Sequence, residues 1–213
     1  VSVKGAQNRF VADGAISDET VLSTFAGNSI PFPDKIPQTV KPMSIEFDMT
    51  PAEVEANFKK LGAGQEYNVA STTYGGSIVS VTNEHYGSSS QTLSPFVPLS
   101  MFDGFESARS HSRTHVEKMV LKLGRASNIH RIEVDFTFFV HNNPVDMQIF
   151  GSETNDGDEN SWTSLTAKTP TKAFRGNTKA FDVSEFSDRK IQFIKLIIYP
   201  DGGFNRIRVM TRA

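Results

Sequence analysis

His130-Arg131-Ile132-Glu133-Val134-Asp135-Phe136-Thr137-Phe138-Phe139-Val140 alternates apolar and polar side chains along most of its length. Ile132, Val134, Phe136 and Phe138 fall on one side, and Arg131, Glu133, Asp135 and Thr137 on the other. A repeat of two puts successive side chains on opposite faces of an extended chain, so one face can enter a core while the other meets solvent. The same period returns further along. Val145, Met147 and Ile149 alternate with Asp146 and Gln148; residues 192–199 turn Ile194, Leu196 and Ile198 to one side; Ile207 and Val209 alternate with Arg206 and Arg208. Residues 78–81 and 118–123 read as two more short apolar strands. Period-two segments repeated this often, with turn residues between them, argue for an antiparallel sandwich or jelly roll.

The segment before these strands has a different texture. Pro31, Pro33, Pro37 and Pro42 each fix φ and remove a donor, so this region reads as extended, with residues 40–47 as an edge strand. A helix follows. Thr50 stands at the N-cap, Pro51 at the first helical position and Glu53 where a capping box needs it. Met49 and Val54 suit a hydrophobic staple, Ala56, Phe58 and Leu61 supply apolar contacts, and Gly62 suits the C-cap. The expected organisation is an extended Pro-rich segment over 1–48, a helix and linker over 49–66, and a sandwich over 67–213. The acidic stretch 155–161 matches no calcium-loop spacing and reads as a solvated turn.

The chain has 213 residues and a net charge of −2, with 38% hydrophobic and 22% charged residues, the composition of a globular domain. No basic field is present to attract nucleic acid or an anionic membrane. The chain has no cysteine, which excludes disulfides, thiolate metal sites and Cys nucleophiles. No apolar run approaches the roughly 18 residues needed to span a bilayer. Val1-Ser2-Val3-Lys4-Gly5 carries neither a signal-peptide pattern nor an initiator Met, and a cytoplasmic location is the expectation.

Several short motifs follow one another on the strand pattern. They are Tyr67-Asn68-Val69-Ala70-Ser71, Gly75-Gly76-Ser77-Ile78, Asn83-Glu84-His85-Tyr86-Gly87 and Met101-Phe102-Asp103-Gly104-Phe105-Glu106-Ser107-Ala108-Arg109. His115, Leu121-Lys122-Leu123-Gly124, Ile132-Glu133-Val134-Asp135, residues 139–144, Trp162 and Tyr199-Pro200-Asp201-Gly202-Gly203 with Arg206-Ile207-Arg208-Val209 continue the series. In this order they resemble a single repeat of the allantoicase family, most nearly the second of its two repeats. The resemblance implies a jelly-roll, galactose-binding-like antiparallel β-sandwich, all-β apart from one short N-terminal helix. It also implies a hydrolase that converts allantoate to ureidoglycolate and urea in purine (allantoin) degradation. Where the family pattern has Trp this chain has Phe105, where it has His-Asp-Trp this chain has His115-Val116-Glu117, and where it has Gly before Asn this chain has His141. The family carries two repeats per chain, so the resemblance implies a homo-oligomer or a partner domain that supplies the second.

Allantoate offers a carboxylate and two ureido groups. Its hydrolysis needs a cation for the carboxylate, an activated water and a proton donor for departing urea. The candidate catalytic residues are Asp103, Glu106, His115 and Asp135; the candidate substrate-binding residues are Arg109, Asn142, Arg206 and Arg208. Arg206 and Arg208 are two apart on a strand and share a face, which equally describes a solvated or paired surface row. Asp103 sits in a glycine-containing turn, where a carboxylate also serves to hold backbone amides. Asp135 acts if its face is covered and is otherwise solvated or paired with Arg131. Glu106 and His115 are the candidate ligands if a divalent metal ion takes part. Asp201 reads as a turn residue, and Trp162, Tyr74, Tyr86 and Tyr199 as core or rim. Two other functions fit the same sandwich: a non-catalytic module binding carbohydrate or a small ligand, and a structural domain of a larger assembly.

Overall fold

In the computed structural model the structure describes residues 49–171 and 178–213. The expected Pro-rich segment 1–48, with its edge strand at 40–47, lies outside them. The helix α1 spans Pro51–Lys59. The Thr50 side chain accepts from the Glu53 amide while the Glu53 carboxylate accepts from the Thr50 amide, so two of the orphan donors at the helix start are satisfied. The helix stops at the Lys60 cap, two residues before the expected Gly62, and Ala56 faces solvent rather than core. What anchors α1 is Phe58, whose ring lies 5.2 Å from that of Tyr74 and 6.1 Å from that of Tyr67, with the Arg125 guanidinium 3.3 Å over it.

Twelve strands follow among the described residues: β1 (Glu66–Asn68), β2 (Ser77–Val81), β3 (Phe105–Glu106), β4 (Glu117–Ser127), β5 (Ile129–Asp135), β6 (Asp146–Ser152), β7 (Thr163–Ser164), β8 (Thr169–Pro170), β9 (Thr178–Asp182), β10 (Ile191–Tyr199), β11 (Gly203–Phe204) and β12 (Arg206–Arg212). One sheet runs β1-β12-β5-β9 and the other β2-β4-β10-β6-β7, with β8 also on β6 and every pair antiparallel. Register explains the core. Ile207 opposes Val134 and Val209 opposes Ile132 in the first sheet, while Leu121 opposes Ile194 and Leu196 opposes Ile149 in the second. These side chains are all buried and join in one cluster, so the two inner faces close on each other as a sandwich.

The sequence expectation fails at the far end of β5. Phe138 was expected to face inward; it is 46% exposed and has φ of 73°. The strand ends at Asp135, whose Oδ1 accepts from the Thr137 amide at 2.9 Å, and the Phe139 amide then donates to the Phe136 carbonyl at 2.8 Å. This turn shifts the alternation by one, and Phe139 takes the buried place. Val145, expected to point inward, lies just before β6 and is exposed. The acidic stretch is a turn: Asp156 Oδ1 accepts from the Asp158 amide and Asp158 Oδ1 from the Asn160 amide. It is tied to the sheet by Lys195, whose Nζ bonds Glu159 at 2.7 Å and sits 4.4 Å from the ring centroid of the half-buried Trp162.

Leu121 has no exposed surface and lies between both sheets. Leu121→Ala is expected to lower unfolding stability by about 2–5 kcal/mol with little change in denaturant slope, as measured by urea titration.

Candidate active site

At one end of the sandwich β3 pairs with β11, setting Glu106 opposite Gly203 and Phe105 opposite Phe204. Residues 83–87 run along the other side of β3, where Tyr86 bridges to Glu106. The loop 142–144 closes the third side, because Gly203 donates its amide to the Asn142 carbonyl at 2.8 Å. Two glycines make these approaches possible. Gly87 has φ of 66° and a Cβ there would overlap the Gly104 carbonyl; Gly202 has φ of 127° and lies against the backbone of residues 142–144. Asp201 fixes the same turn from its side chain, accepting from the Ser110 amide at 2.7 Å.

These elements enclose a cavity of about 230 Å³ lined by Tyr86, Gly87, Met101, Phe102, Glu106 and Asn142. Its polar wall is small and specific. Asn142 Nδ2 donates to Glu106 Oε2 at 2.9 Å and rests 3.0 Å from the Met101 sulfur. Tyr86 and Phe102 stand 55% and 62% exposed at its mouth, offering ring faces to a ligand. Burial pushes the Glu106 carboxyl above its usual value of 4.5. The Asn142 amide, Arg109 and His85 oppose that shift, and Asp201 adds to it.

Glu106 and Asn142 therefore come together, with Arg109 near enough to act on the Glu106 carboxyl through its charge. The other sequence candidates are placed elsewhere. Asp103 caps its own turn, its Oδ2 accepting from the amides of Leu99 at 2.5 Å and Ser100 at 3.0 Å. Arg206 is 3% exposed, and its guanidinium donates to the carbonyls of Phe96, Asp103 and Asn205 at 2.9, 2.6 and 2.9 Å. It holds the loop 96–104 that carries Met101 and Phe102, and burial pulls its pKa below the ordinary arginine value. Gln91, with its amide nitrogen turned to them, reinforces the loop through the carbonyls of Phe102, Asp103 and Gly104. Asp135 is nearly buried, bonded to the Thr137 amide, and 3.8 Å from Arg208 rather than beside Arg131, which pairs with Glu66 and Glu133.

His115 is not among the residues that line the cavity. Its Nε2 lies 2.7 Å from Glu117 Oε1, at the start of β4. No three His, Asp or Glu side chains among the described residues are placed to hold a metal ion. No helix among the described residues is long and apolar enough to cross a membrane. At the cavity, sequence reasoning left Met101 and Phe102, in the motif at 101–109, unassigned, and read Tyr86, in the motif at 83–87, only as core or rim.

Residues 67–213 match the family model of the allantoicase repeat. The chain is 30% identical over 152 residues to the allantoicase of Neurospora crassa, covering 68% of this chain and 42% of that protein. It is 34% identical over 135 residues to the allantoicase of Saccharomyces cerevisiae, covering 60% and 38%. The crystal structure of the Saccharomyces cerevisiae allantoicase superposes with a TM-score of 0.61 at 27% identity, over 71% of this chain and 45% of that one. The chain thus spans less than half the length of these relatives.

Two outcomes follow from the geometry. Arg206→Leu leaves three carbonyls without their donor, each a loss of about 1–3 kcal/mol. Hydrogen exchange is expected to show residues 96–104 opening well before the sheets. For Glu106, the folded carboxyl keeps its proton to higher pH than the unfolded one. Its contribution to stability is therefore lost as pH rises from the unfolded value through the folded one. Glu106→Gln is expected to match the parent in thermal stability at acidic pH and to exceed it at neutral pH.

Proposed function

This chain belongs to the allantoicase family, and on that premise we propose that its sandwich carries a site for the hydrolysis of allantoate to ureidoglycolate and urea. The observation that carries the reading is the Glu106–Asn142 pair on the wall of a ligand-sized cavity, inside the residues that match the family. Burial raises this half-buried carboxyl above its usual value, so it holds its proton more firmly than a free glutamic acid, which suits a proton donor. In the reaction the oxygen of water ends on the central carbon, the bond from that carbon to one ureido nitrogen breaks, and the nitrogen leaves as urea with a new proton. Glu106 gives that proton. Asn142 holds the Glu106 carboxyl in place and offers a side-chain amide to a ureido group. Arg109, exposed on the loop after β3, receives the substrate carboxylate. The Tyr86 and Phe102 rings cover the planar ureido arms.

The relatives are more than twice the length this chain covers in them. The reading therefore includes a second repeat, from another copy of the chain or from a joined domain, as part of the complete assembly. A cytoplasmic place of action fits a chain with no cysteine. The family match weighs for the hydrolase over a purely carbohydrate-binding or structural module.

Urea release from allantoate is the direct test. Glu106→Gln is expected to lower kcat by about 10²–10⁴-fold, while Arg109→Ala is expected to raise KM with a smaller change in kcat. Absence of urea at high protein concentration, with and without added divalent metal, would sink the reading.

A further inference from the structure

Arg109 follows Glu106 closely in the chain, on a backbone that is held on both sides of it. Ala108 donates its amide to Asn83 Oδ1 at 3.2 Å, and Ser110 donates its amide to Asp201 Oδ2 at 2.7 Å. The residues before them are tied as firmly. The Glu106 amide donates to the Tyr86 carbonyl at 2.8 Å, and the Tyr86 amide donates back at 2.9 Å. The Ser107 amide donates to the Gly202 carbonyl at 3.1 Å, and the Ser107 hydroxyl accepts from the Gly202 amide at 3.1 Å. The loop after β3 is therefore fixed to the two segments beside the cavity, 83–87 and 201–203. Next to Arg109, the side chains that fix it are Asn83 and Asp201. Over residues 106–110 only Arg109 is exposed, and its guanidinium makes no hydrogen bond or ion pair among the described residues.

A long side chain on a loose loop loses both backbone and side-chain freedom when it grips a ligand. A pinned backbone leaves only the side-chain torsions to be ordered. The guanidinium offers parallel N–H donors that match the two oxygens of a carboxylate. Its charge is felt at the Glu106 carboxyl, where it opposes the rise caused by burial, so the guanidinium lies close to the polar wall of the cavity. The cavity lining itself holds no cation, and its one acid is Glu106. A ligand carboxylate placed inside would face that acid and lack a counter-charge. A neutral ureido arm fits there beside Asn142, and the acid group of the same molecule then falls at the rim, toward Arg109.

We infer that Asn83 and Asp201 are positioning residues that hold Arg109 at the cavity rim as a carboxylate anchor, and that this end of the sandwich thereby selects acidic ureides over neutral ones. The inference rests on the hydrolase reading for the class of ligand. It adds which groups set the choice and which way round the ligand lies, with the ureido arm inward and the acid group outward. Asp201 acts through its hydrogen bond to the Ser110 amide, so Asp201→Asn keeps the geometry while Asp201→Ala removes it. Arg113 is exposed in the same loop, without a side-chain hydrogen bond or ion pair among the described residues, and serves as the comparison.

Two measurements on the full chain test this. The first is calorimetric titration with N-carbamoylglycine, which carries a ureido arm and a carboxylate, and with its neutral amide. The parent is expected to bind the acid about tenfold more tightly than the amide. Arg109→Ala should bring the two affinities within about twofold, and Asp201→Ala within about threefold. Asp201→Asn and Arg113→Ala should keep the parent's preference. In allantoate turnover, the second measurement, Asp201→Ala is expected to raise KM about tenfold with kcat within about twofold. Asn83→Ala frees the Ala108 amide on the other side of Arg109 and carries the same expectations if Asp201→Ala folds poorly. Equal affinity for acid and amide in the parent overturns the inference. So does an Asp201→Ala chain that binds both ligands more weakly but keeps their ratio, the mark of a merely structural role. Neither result bears on urea release. A parent that prefers the acid yet releases no urea from allantoate overturns the hydrolase reading and leaves the anchor standing.

Discussion

The Arg206 guanidinium is taken out of water and receives backbone carbonyls in place of a carboxylate. A desolvated cation is costly unless every donor direction is used, and the planar fork of arginine spreads its donors where a lysine would offer a point charge. Here the acceptors come from residues 96, 103 and 205, so one side chain joins the loop before β3 to the turn before β12. Asp103 tightens the same loop through the amides of Leu99 and Ser100. Met101 and Phe102 are consequently presented on a fixed backbone, and the cavity has a wall on that side.

The sandwich itself was legible. Residues 192–199 show clean period-two patterning, and Ile194, Leu196 and Ile198 are buried as their spacing requires. Reading failed where a side chain overruled the pattern. Nothing in the alternation announces that the Asp135 carboxylate captures the Thr137 amide, ends the strand and moves Phe139 into the place expected of Phe138. The two-residue strands β3 and β11 lack the length to show any period, yet their pairing positions Glu106.

The candidate site was legible by residue type and only partly by role. Glu106 and Asn142 lay on motifs and do assemble, with the Arg109 charge nearby. Asp103 and Arg206 looked equally suited to substrate, because an acid in a glycine turn and an arginine on a strand read alike whether they face a ligand or the protein's own backbone. Burial and the identity of the acceptors separate the two cases, and both depend on contacts more than a hundred residues apart, such as Arg206 with Asp103. Tyr86 and Phe102 were unreadable as a pair for the same reason.

Two glutamates on one end of the sandwich show how the fold assigns chemistry. Glu106 has one side-chain donor among the described residues, Asn142, and one face open to a cavity, so its carboxyl stays available to a ligand. Glu117 is enclosed by apolar side chains, with both oxygens committed to Thr82 and His115, so no ligand can reach it directly. The number of donors that the surrounding elements deliver decides which of two identical side chains is left open to a ligand. In a sandwich, that number is set by register. Glu106 stands across from Gly203, which brings no side chain, whereas the edge next to Glu117 brings the Thr82 hydroxyl.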